Sequence, residues 1–137
     1  PVSVDFIQGS YTGFWEEGGW SQDAIYQVNG FIFEPREGTV HTGEVLIFGT
    51  AHAGEDPIER VEITYDDGES WEDVEITYSP GANRWTLWRT TLTGLTGEIT
   101  ARVRVTAESG RQSTGAEGTD QAHGYDGGMQ VIFTVRA

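Results

Sequence analysis

Carboxylates are the first side chains in this sequence whose number and spacing suggest chemistry. Residues 61–78 (VEITYDDGESWEDVEITY) are dense in Asp and Glu around one Gly and one Trp. A calcium loop between two helices needs oxygen ligands at alternate positions, with Gly at about the sixth and Glu at about the twelfth. Counted from Asp66, the Gly is third, and strand-like residues flank the turn. We therefore favour a hairpin that turns at Asp67-Gly68 over a metal site. Three acids are then expected to face water: Glu62, Glu72 and Glu75.

Paired carboxylates also serve glycosidases as acid and base, about 5–9.5 Å apart across a cleft. With 22 acids in 137 residues, a chance pair would satisfy any sequence test, so this signal carries little weight. A nucleophilic Ser in a Gly-x-Ser-x-Gly turn is missing from the sequence. The run GYDGG (124–128) precedes a strand pattern rather than a helix, which argues against a phosphate-binding loop.

The three histidines are His41, His52 and His123. None has a zinc-site spacing to another, and Cys is absent, which excludes disulfides, thiolate nucleophiles and Cys-held metals. His52 ends a strand pattern, so a structural role is expected. His123 lies in a long Gly-rich connection, where functional residues concentrate. We predict no metal-binding, cofactor-binding or catalytic set within this chain, and His123 is the one candidate functional residue among the histidines.

Tryptophans give a second kind of candidate. Trp85 and Trp88 are three residues apart, so on a strand one faces inward and the other outward. An outward Trp can stack on a sugar ring, as in carbohydrate-binding modules, or can be buried by a protein partner. The sequence leaves both readings open.

The elements that would position these residues are short β-strands. In residues 99–107 the apolar and polar side chains alternate strictly, and residues 61–65 do the same. No segment has a helical repeat of useful length. The pattern predicts an all-β, immunoglobulin-like antiparallel β-sandwich of about seven strands without a disulfide. The predicted strands are 28–34, 44–53, 58–65, 71–78, 83–92, 98–108 and 129–137.

Domain organisation follows from a change in pattern near residue 27. Residues 1–27 are rich in Gly and aromatics without sustained periodicity, and predict an irregular segment, whereas residues 28–137 form the sandwich. The chain starts at Pro1 rather than Met, which suggests an excised or processed fragment. The sequence has no signal-peptide pattern and no apolar run near the ~18 residues of a membrane span.

The net charge is −14, and all eight basic residues are Arg. Such a surface repels nucleic acid and anionic lipid, so neither is an expected partner. Molar salt shortens the Debye length to about 3 Å and relieves carboxylate repulsion. The excess of acids and the loss of Lys therefore predict a protein from a high-salt organism.

Several motifs in order resemble the dimerisation domain of sulfite-oxidase-type molybdenum oxidoreductases. They are Val61–Ile63, Asp67–Trp71, Trp85–Trp88, Ala101–Ala107 and Gly124–Tyr125. Upstream, residues 11–21 (YTGFWEEGGWS) are similar to the segment that joins the family's catalytic domain to this sandwich. The resemblance covers nearly the whole chain.

The resemblance implies a non-catalytic assembly domain that follows a molybdopterin-binding catalytic domain and pairs two subunits. In this family a Cys thiolate and the pterin hold molybdenum in the catalytic domain, so the cofactor belongs to an implied parent enzyme. His123 matches a basic residue that reaches the family's substrate pocket. Because His holds an oxyanion less firmly than Arg, the substrate stays open between sulfite and another small molecule. Phe48 and Trp88 are expected to be outward aromatics at the homodimer interface. The alternative is a carbohydrate-binding module of a secreted protein, and a glycosidase is a weaker third.

Overall fold

The computed structural model describes Ser3, Phe6 and residues 8–23, 25–119 and 123–137. Within these ranges one helical turn, α1 (Phe14–Glu17), precedes nine strands. The strands are β1 (Asn29–Glu34), β2 (Val40–Thr42), β3 (Val45–His52), β4 (Ile58–Thr64), β5 (Glu72–Asp73), β6 (Glu75–Tyr78), β7 (Thr86–Leu92), β8 (Gly97–Ala107) and β9 (Gln130–Arg136).

The strands form two packed sheets. Sheet one has the order β1-β3-β7-β6, and sheet two has the order β2-β9-β8-β4-β5. All pairings between these strands are antiparallel except β2 with β9, which is parallel. The first order corresponds to the A-B-E-D sheet of an immunoglobulin domain and the β9-β8-β4 part of the second to its G-F-C sheet. The predicted immunoglobulin-like sandwich without a disulfide is confirmed.

The core lies between the sheets and is built by the alternating strands. In β8 the residues predicted to share one face are all buried: Ile99, Ala101, Val103, Val105 and Ala107. Trp88 is the largest fully buried side chain and packs opposite Gly49, its partner on β3. A Cβ at Gly49 would lie 1.8 Å from the carbonyl oxygen of Phe31 and 2.8 Å from the Trp88 ring. Gly49 therefore lets the neighbouring β1 backbone and this large indole fit together.

Three features of the fold differ from the sequence prediction. The single strand expected at 71–78 is split, because β5 pairs with β4 in sheet two whereas β6 pairs with β7 in sheet one. Val74 lies between them and still donates its N–H to Val61 O at 3.1 Å, where the chain crosses between sheets. The three-residue β2 was missed because so short a segment contains no period to detect. In the N-terminal segment predicted to be irregular, α1 is a single helical turn.

The predicted turn at Asp67-Gly68 is confirmed. Asp67 and Gly68 have φ angles of 59° and 90°, in the left-handed region. Asp66 accepts hydrogen bonds from the Ser70 hydroxyl, from Ser70 N at 2.9 Å and from Thr64 Oγ1 at 2.7 Å. These bonds lower the pKa of Asp66 to about 2, so its carboxylate stays ionised and closes the turn.

Candidate functional site

The acidic stretch after β4 belongs to the scaffold. Glu72 and Glu75 are exposed as predicted, but Glu62 is 5% exposed, so the prediction that it faces water is wrong. Arg104 reaches both Glu62 oxygens, at 2.9 Å each, from the opposite position on β8. Trp71 covers this pair, with the Arg104 guanidinium 4.1 Å from the ring centroid. A bidentate, aromatic-covered ion pair satisfies the buried carboxylate, and the alternation pattern does not reveal the arginine on the distant strand.

A cleft of about 400 Å³ lies where the N-terminal segment meets the connection before β9. Its lining residues are Trp20, Ser21, Ile25, Tyr26, Gln27, Asn29, Phe31, His123, Gly124 and Tyr125. Gln27 Nε2 donates to the carbonyl oxygen of His123 at 3.3 Å and so ties the two segments together. Asn29 is buried and donates through Nδ2 to the carbonyl oxygens of Gln27 and Tyr125, at 2.9 and 3.3 Å. His123, predicted as a pocket residue, thus lies on the wall of this cleft.

The loop that carries His123 is braced by the two residues after Gly124. Tyr125 donates its hydroxyl to the carbonyl oxygen of Ala116 at 2.7 Å. Asp126 accepts from Thr119 N at 2.7 Å and from Thr114 Oγ1 at 3.0 Å. Burial alone would raise the pKa of Asp126, but the hydrogen bonds from Thr119 and Thr114 outweigh it and lower this pKa. An ionised side chain that does not line the cleft therefore ties Thr114 and Thr119 to Asp126.

The outer surface of sheet one is largely apolar, and we call it the apolar face. It consists of outward side chains on three adjacent strands and the residue before β7: Phe31, Phe33, Leu46, Phe48, Trp85 and Leu87. Exposure is 53% for Phe33, 52% for Leu46 and 43% for Leu87. Thr50 lies between Phe31 and Leu87 in the strand register and is 5% exposed. Its hydroxyl oxygen has no hydrogen-bond partner among the described residues, which underlines how apolar this surface is.

The charges beside the apolar face cancel in pairs. Arg89 forms a bidentate pair with Glu75, at 2.7 and 3.1 Å, between β7 and β6. Arg36 Nε lies 3.1 Å from Glu34 Oε1 at the other edge. Because each pair is neutral, this side of sheet one carries little net charge on a chain whose total is −14.

The two predicted interface aromatics separate in the structure. Phe48 is 38% exposed on the apolar face, so it remains a candidate. Trp88 is 1% exposed and lies in the core, so its prediction as an outward residue is wrong; Trp85, 43% exposed, is the outward member of the pair. Phe33, Leu46 and Leu87 were missed as surface residues. The signal was present in VLIFG (45–49), where both alternating sets are apolar, as in a strand buried on both sides.

The model of the family described as "Mo-co oxidoreductase dimerisation domain" matches residues 22–126. The chain belongs to this family. The match ends at Asp126, before β9, and includes both the cleft residue His123 and the apolar face. A search of the curated proteins finds no match.

Two solved structures resemble this dimerisation domain. The sulfane dehydrogenase SoxCD from Paracoccus pantotrophus matches 81% of this chain with a TM-score of 0.64 and 19% identity. Fibronectin(III)-like modules of CbhA from Clostridium thermocellum match 80% of the chain and 96% of the module, with a TM-score of 0.44 and 18% identity. The chain spans 33% of the SoxCD chain that it matches. At this identity, the SoxCD likeness supports the fold alone.

The donor groups of this dimerisation domain do not fit the molybdenum cofactor that its family name implies. The sequence has no Cys to supply a thiolate. In the described ranges, no group of three His, Cys, Asp or Glu side chains is placed to hold a metal ion. His52 uses Nδ1 to accept the Gly54 N–H at 2.9 Å, and His41 Nε2 lies 2.8 Å from Thr39 Oγ1. Among the described residues, no helix is long and apolar enough to cross a membrane.

Proposed function

We propose that this chain is the assembly domain of a molybdopterin-dependent oxidoreductase and joins two subunits into a homodimer. The observation that carries the proposal is the apolar face on a chain of the dimerisation family. An exposed patch of this kind on an otherwise highly charged protein is typical of a protein contact. In this account the chain contributes position and association, while the cofactor lies in another domain.

The other domain would be a molybdopterin-binding catalytic domain of the same polypeptide. The length of the SoxCD chain, three times the part matched here, is consistent with further domains. We propose that residues 1–27 form the connection, because their exposed aromatics are ready for burial by a neighbour. Phe14 is 80% exposed and Trp15 is 61% exposed, and Trp15 packs on Trp20 with ring centroids 5.3 Å apart.

A carbohydrate-binding module is the alternative suggested by an outward Trp. Trp85 is outward, but its ring packs against Tyr26, Phe31 and His52, at centroid distances of 4.8–6.5 Å. Specific small-molecule sites combine apolar walls with placed polar groups. Thr50, between Phe31 and Leu87, has a buried hydroxyl oxygen. Arg89, beside Phe48, is already paired with Glu75. This composition favours a protein contact over a sugar.

We also propose that His123 reaches the substrate pocket of the catalytic domain. Its position at the junction of the N-terminal segment and the braced loop supports this role. The test is His123→Ala in the intact enzyme, for which we expect kcat/KM to fall about 5- to 150-fold, since a lost polar contact costs about 1–3 kcal/mol. His41→Ala is the control. Equal kcat/KM values for wild type and His123→Ala would remove His123 from the mechanism.

The assembly role is tested by the mass of the intact protein in solution. Sedimentation equilibrium should give twice the subunit mass at micromolar concentration. A monomer across the whole accessible concentration range would contradict the proposed function.

A high-salt origin is a further proposal, supported by the net charge of −14 and the use of Arg alone as the basic residue. Its test is the response of the melting temperature and of the dimer affinity to KCl.

A further inference from the structure

We propose that the apolar face is the surface on which a second copy of this chain docks, about a two-fold axis near the centre of sheet one. This inference rests on the proposed homodimer and assigns it to one side of the sandwich. In a two-fold contact the same patch serves both partners, so it must be complementary to itself. An apolar, nearly neutral surface meets that requirement more readily than a charged one.

The charge of the chain restricts where two copies can meet. Each copy carries −14, so like charges on facing surfaces oppose association over most of the protein. Beside the apolar face, Arg89 neutralises Glu75 and Arg36 neutralises Glu34. Two copies that approach through this face therefore bring together a surface of little net charge.

The size of the apolar face agrees with a stable dimer. From the exposed fractions of Phe33, Phe48, Trp85, Leu46 and Leu87, and an area of about 150–250 Å² per aromatic side chain, these residues present on the order of 400 Å². A standard interface buries about 800 Å² per partner, of which roughly 60% is apolar. The face thus supplies most of the apolar area that one partner needs.

The outer face of sheet two is poorly suited to the same role. Its centre holds the ionised pair of Arg104 with Glu62, and Arg60 lies 3.5 Å from the same carboxylate. Burying such charges against another copy costs desolvation energy that a second, identical set of charges does not return. Trp71 is already covered by Arg102 and Arg104.

Sheet edges are also unfavourable for pairing two copies. The edge strands of sheet two, β5 and β2, have only two and three residues. In sheet one, β6 has four residues and begins with Glu75, and the β1 edge already exchanges backbone hydrogen bonds through Gly30 with Gly127 and Met129. Short, charged or partly paired edge strands discourage the addition of a further strand. The broad face of sheet one remains, with Leu46 and Phe48 on β3, which lies between β1 and β7.

The test places a carboxylate at the centre of the face in the intact protein. Phe48→Glu and, separately, Leu46→Glu should raise the dimer dissociation constant at least ~100-fold, because each removes a large apolar contact from both copies and adds a carboxylate near Arg89, which already pairs with Glu75. Val40→Glu is the control: it adds the same charge at a side chain that is 51% exposed on β2 of the other sheet. Sedimentation equilibrium gives the constants, and circular dichroism melting checks that each variant is folded. Leu87→Ser replaces any variant that fails to fold.

The outcomes separate this inference from the proposed function. Weakened dimers in the Phe48 and Leu46 variants, with Val40→Glu like wild type, support the assignment of the face. Wild-type affinity in the face variants would overturn the assignment and leave the homodimer intact, docked elsewhere. A wild-type protein that is itself monomeric would overturn the proposed function, and the assignment with it.

Discussion

The outer faces of the two sheets differ in how they surround a buried polar side chain. That side chain is Thr50 on sheet one and Glu62 on sheet two. Around Glu62, arginines and Trp71 satisfy the carboxylate within the chain. Around Thr50, the neighbours are apolar and largely exposed, and its hydroxyl oxygen has no partner among the described residues.

The difference indicates which outer face is already covered by side chains of the same chain. Sheet two covers its own outer surface with paired long side chains, whose polar heads face water. Sheet one leaves aromatic and aliphatic groups in solvent, at a cost of roughly 25 cal/mol per Å² of apolar surface. That cost is recovered only when something covers the surface. We therefore predict that substitutions on the outer face of sheet two change mainly the free energy of unfolding. Substitutions on the apolar face of sheet one should change mainly the dimer affinity.

The largest effect is expected in the core that both faces share. Trp88→Ala should lower the free energy of unfolding by about 3–5 kcal/mol, because it removes a fully buried aromatic side chain. Trp85→Ala is the matched control and should cost much less, since Trp85 is 43% exposed. Urea unfolding measures both values. Equal losses in the two variants would contradict the inward and outward assignment of this pair.

The next effect should appear on the outer face of sheet two. Glu62→Gln leaves Arg104 without its bidentate carboxylate and should lower the free energy of unfolding by roughly 2–3 kcal/mol, below the range for fully buried pairs because Arg104 is partly exposed. Glu72→Gln changes the same chemistry on an exposed side chain and should have little effect. If thermal and urea unfolding gave the same stability for both variants, the carboxylate at position 62 would not be a structural group.

Added salt should change the affinity of an apolar contact and of an ion-pair contact in opposite directions. KCl screens the repulsion between chains of −14, so both the melting temperature and the dimer affinity should increase through the molar range. An interface built on the arginine ion pairs of sheet two would instead weaken with salt. Calorimetry and sedimentation at 0.1, 1 and 3 M KCl provide the measurements. A flat melting temperature would count against salt adaptation, and a falling affinity against the apolar face.

The smallest effect concerns pH at the end of sheet one. Burial lowers the pKa of His52, whose Nδ1 accepts the Gly54 N–H at 2.9 Å. The unfolded chain therefore binds a proton more readily, and the stability contributed by neutral His52 is lost as pH falls below about 6.5. We expect the difference in unfolding free energy between wild type and His52→Gln to shrink between pH 7 and pH 5. A difference independent of pH would show that protonation of His52 is not coupled to folding.

Sequence reasoning reached the fold because strict alternation in β8 and the Asp67-Gly68 turn are local signals. It also separated Trp85 from Trp88 as two faces of one strand, but it assigned Trp88 to the outward face, and the structure places Trp88 in the core. That choice depends on Gly49, a residue of a different strand that makes room for the indole. Glu62 was misplaced for the same reason, since its arginine partner is 42 residues away in the sequence.

The candidate site was harder to predict from the sequence than the fold. His123 was singled out from its loop, yet the cleft beside it depends on Gln27 and Asn29, which sequence patterns do not connect to that loop. The apolar face combines residues of three strands and the residue before β7. Its single local sign was the doubly apolar run at 45–49, which reads equally well as a buried strand.

The central claim is that sheet one, rather than sheet two, is the side on which two copies meet. Single cysteines test it directly, because this chain contains no Cys of its own and the protein without an added cysteine shows any background from cysteines in other domains. Thr91→Cys lies beside Leu46 on sheet one, and Thr100→Cys lies beside Ile132 on the outer face of sheet two. After treatment of the intact protein with a short bis-maleimide, Thr91→Cys should give mostly covalent dimer, while Thr100→Cys should match the protein without an added cysteine. Covalent dimer from Thr100→Cys, with none from Thr91→Cys, would contradict the account.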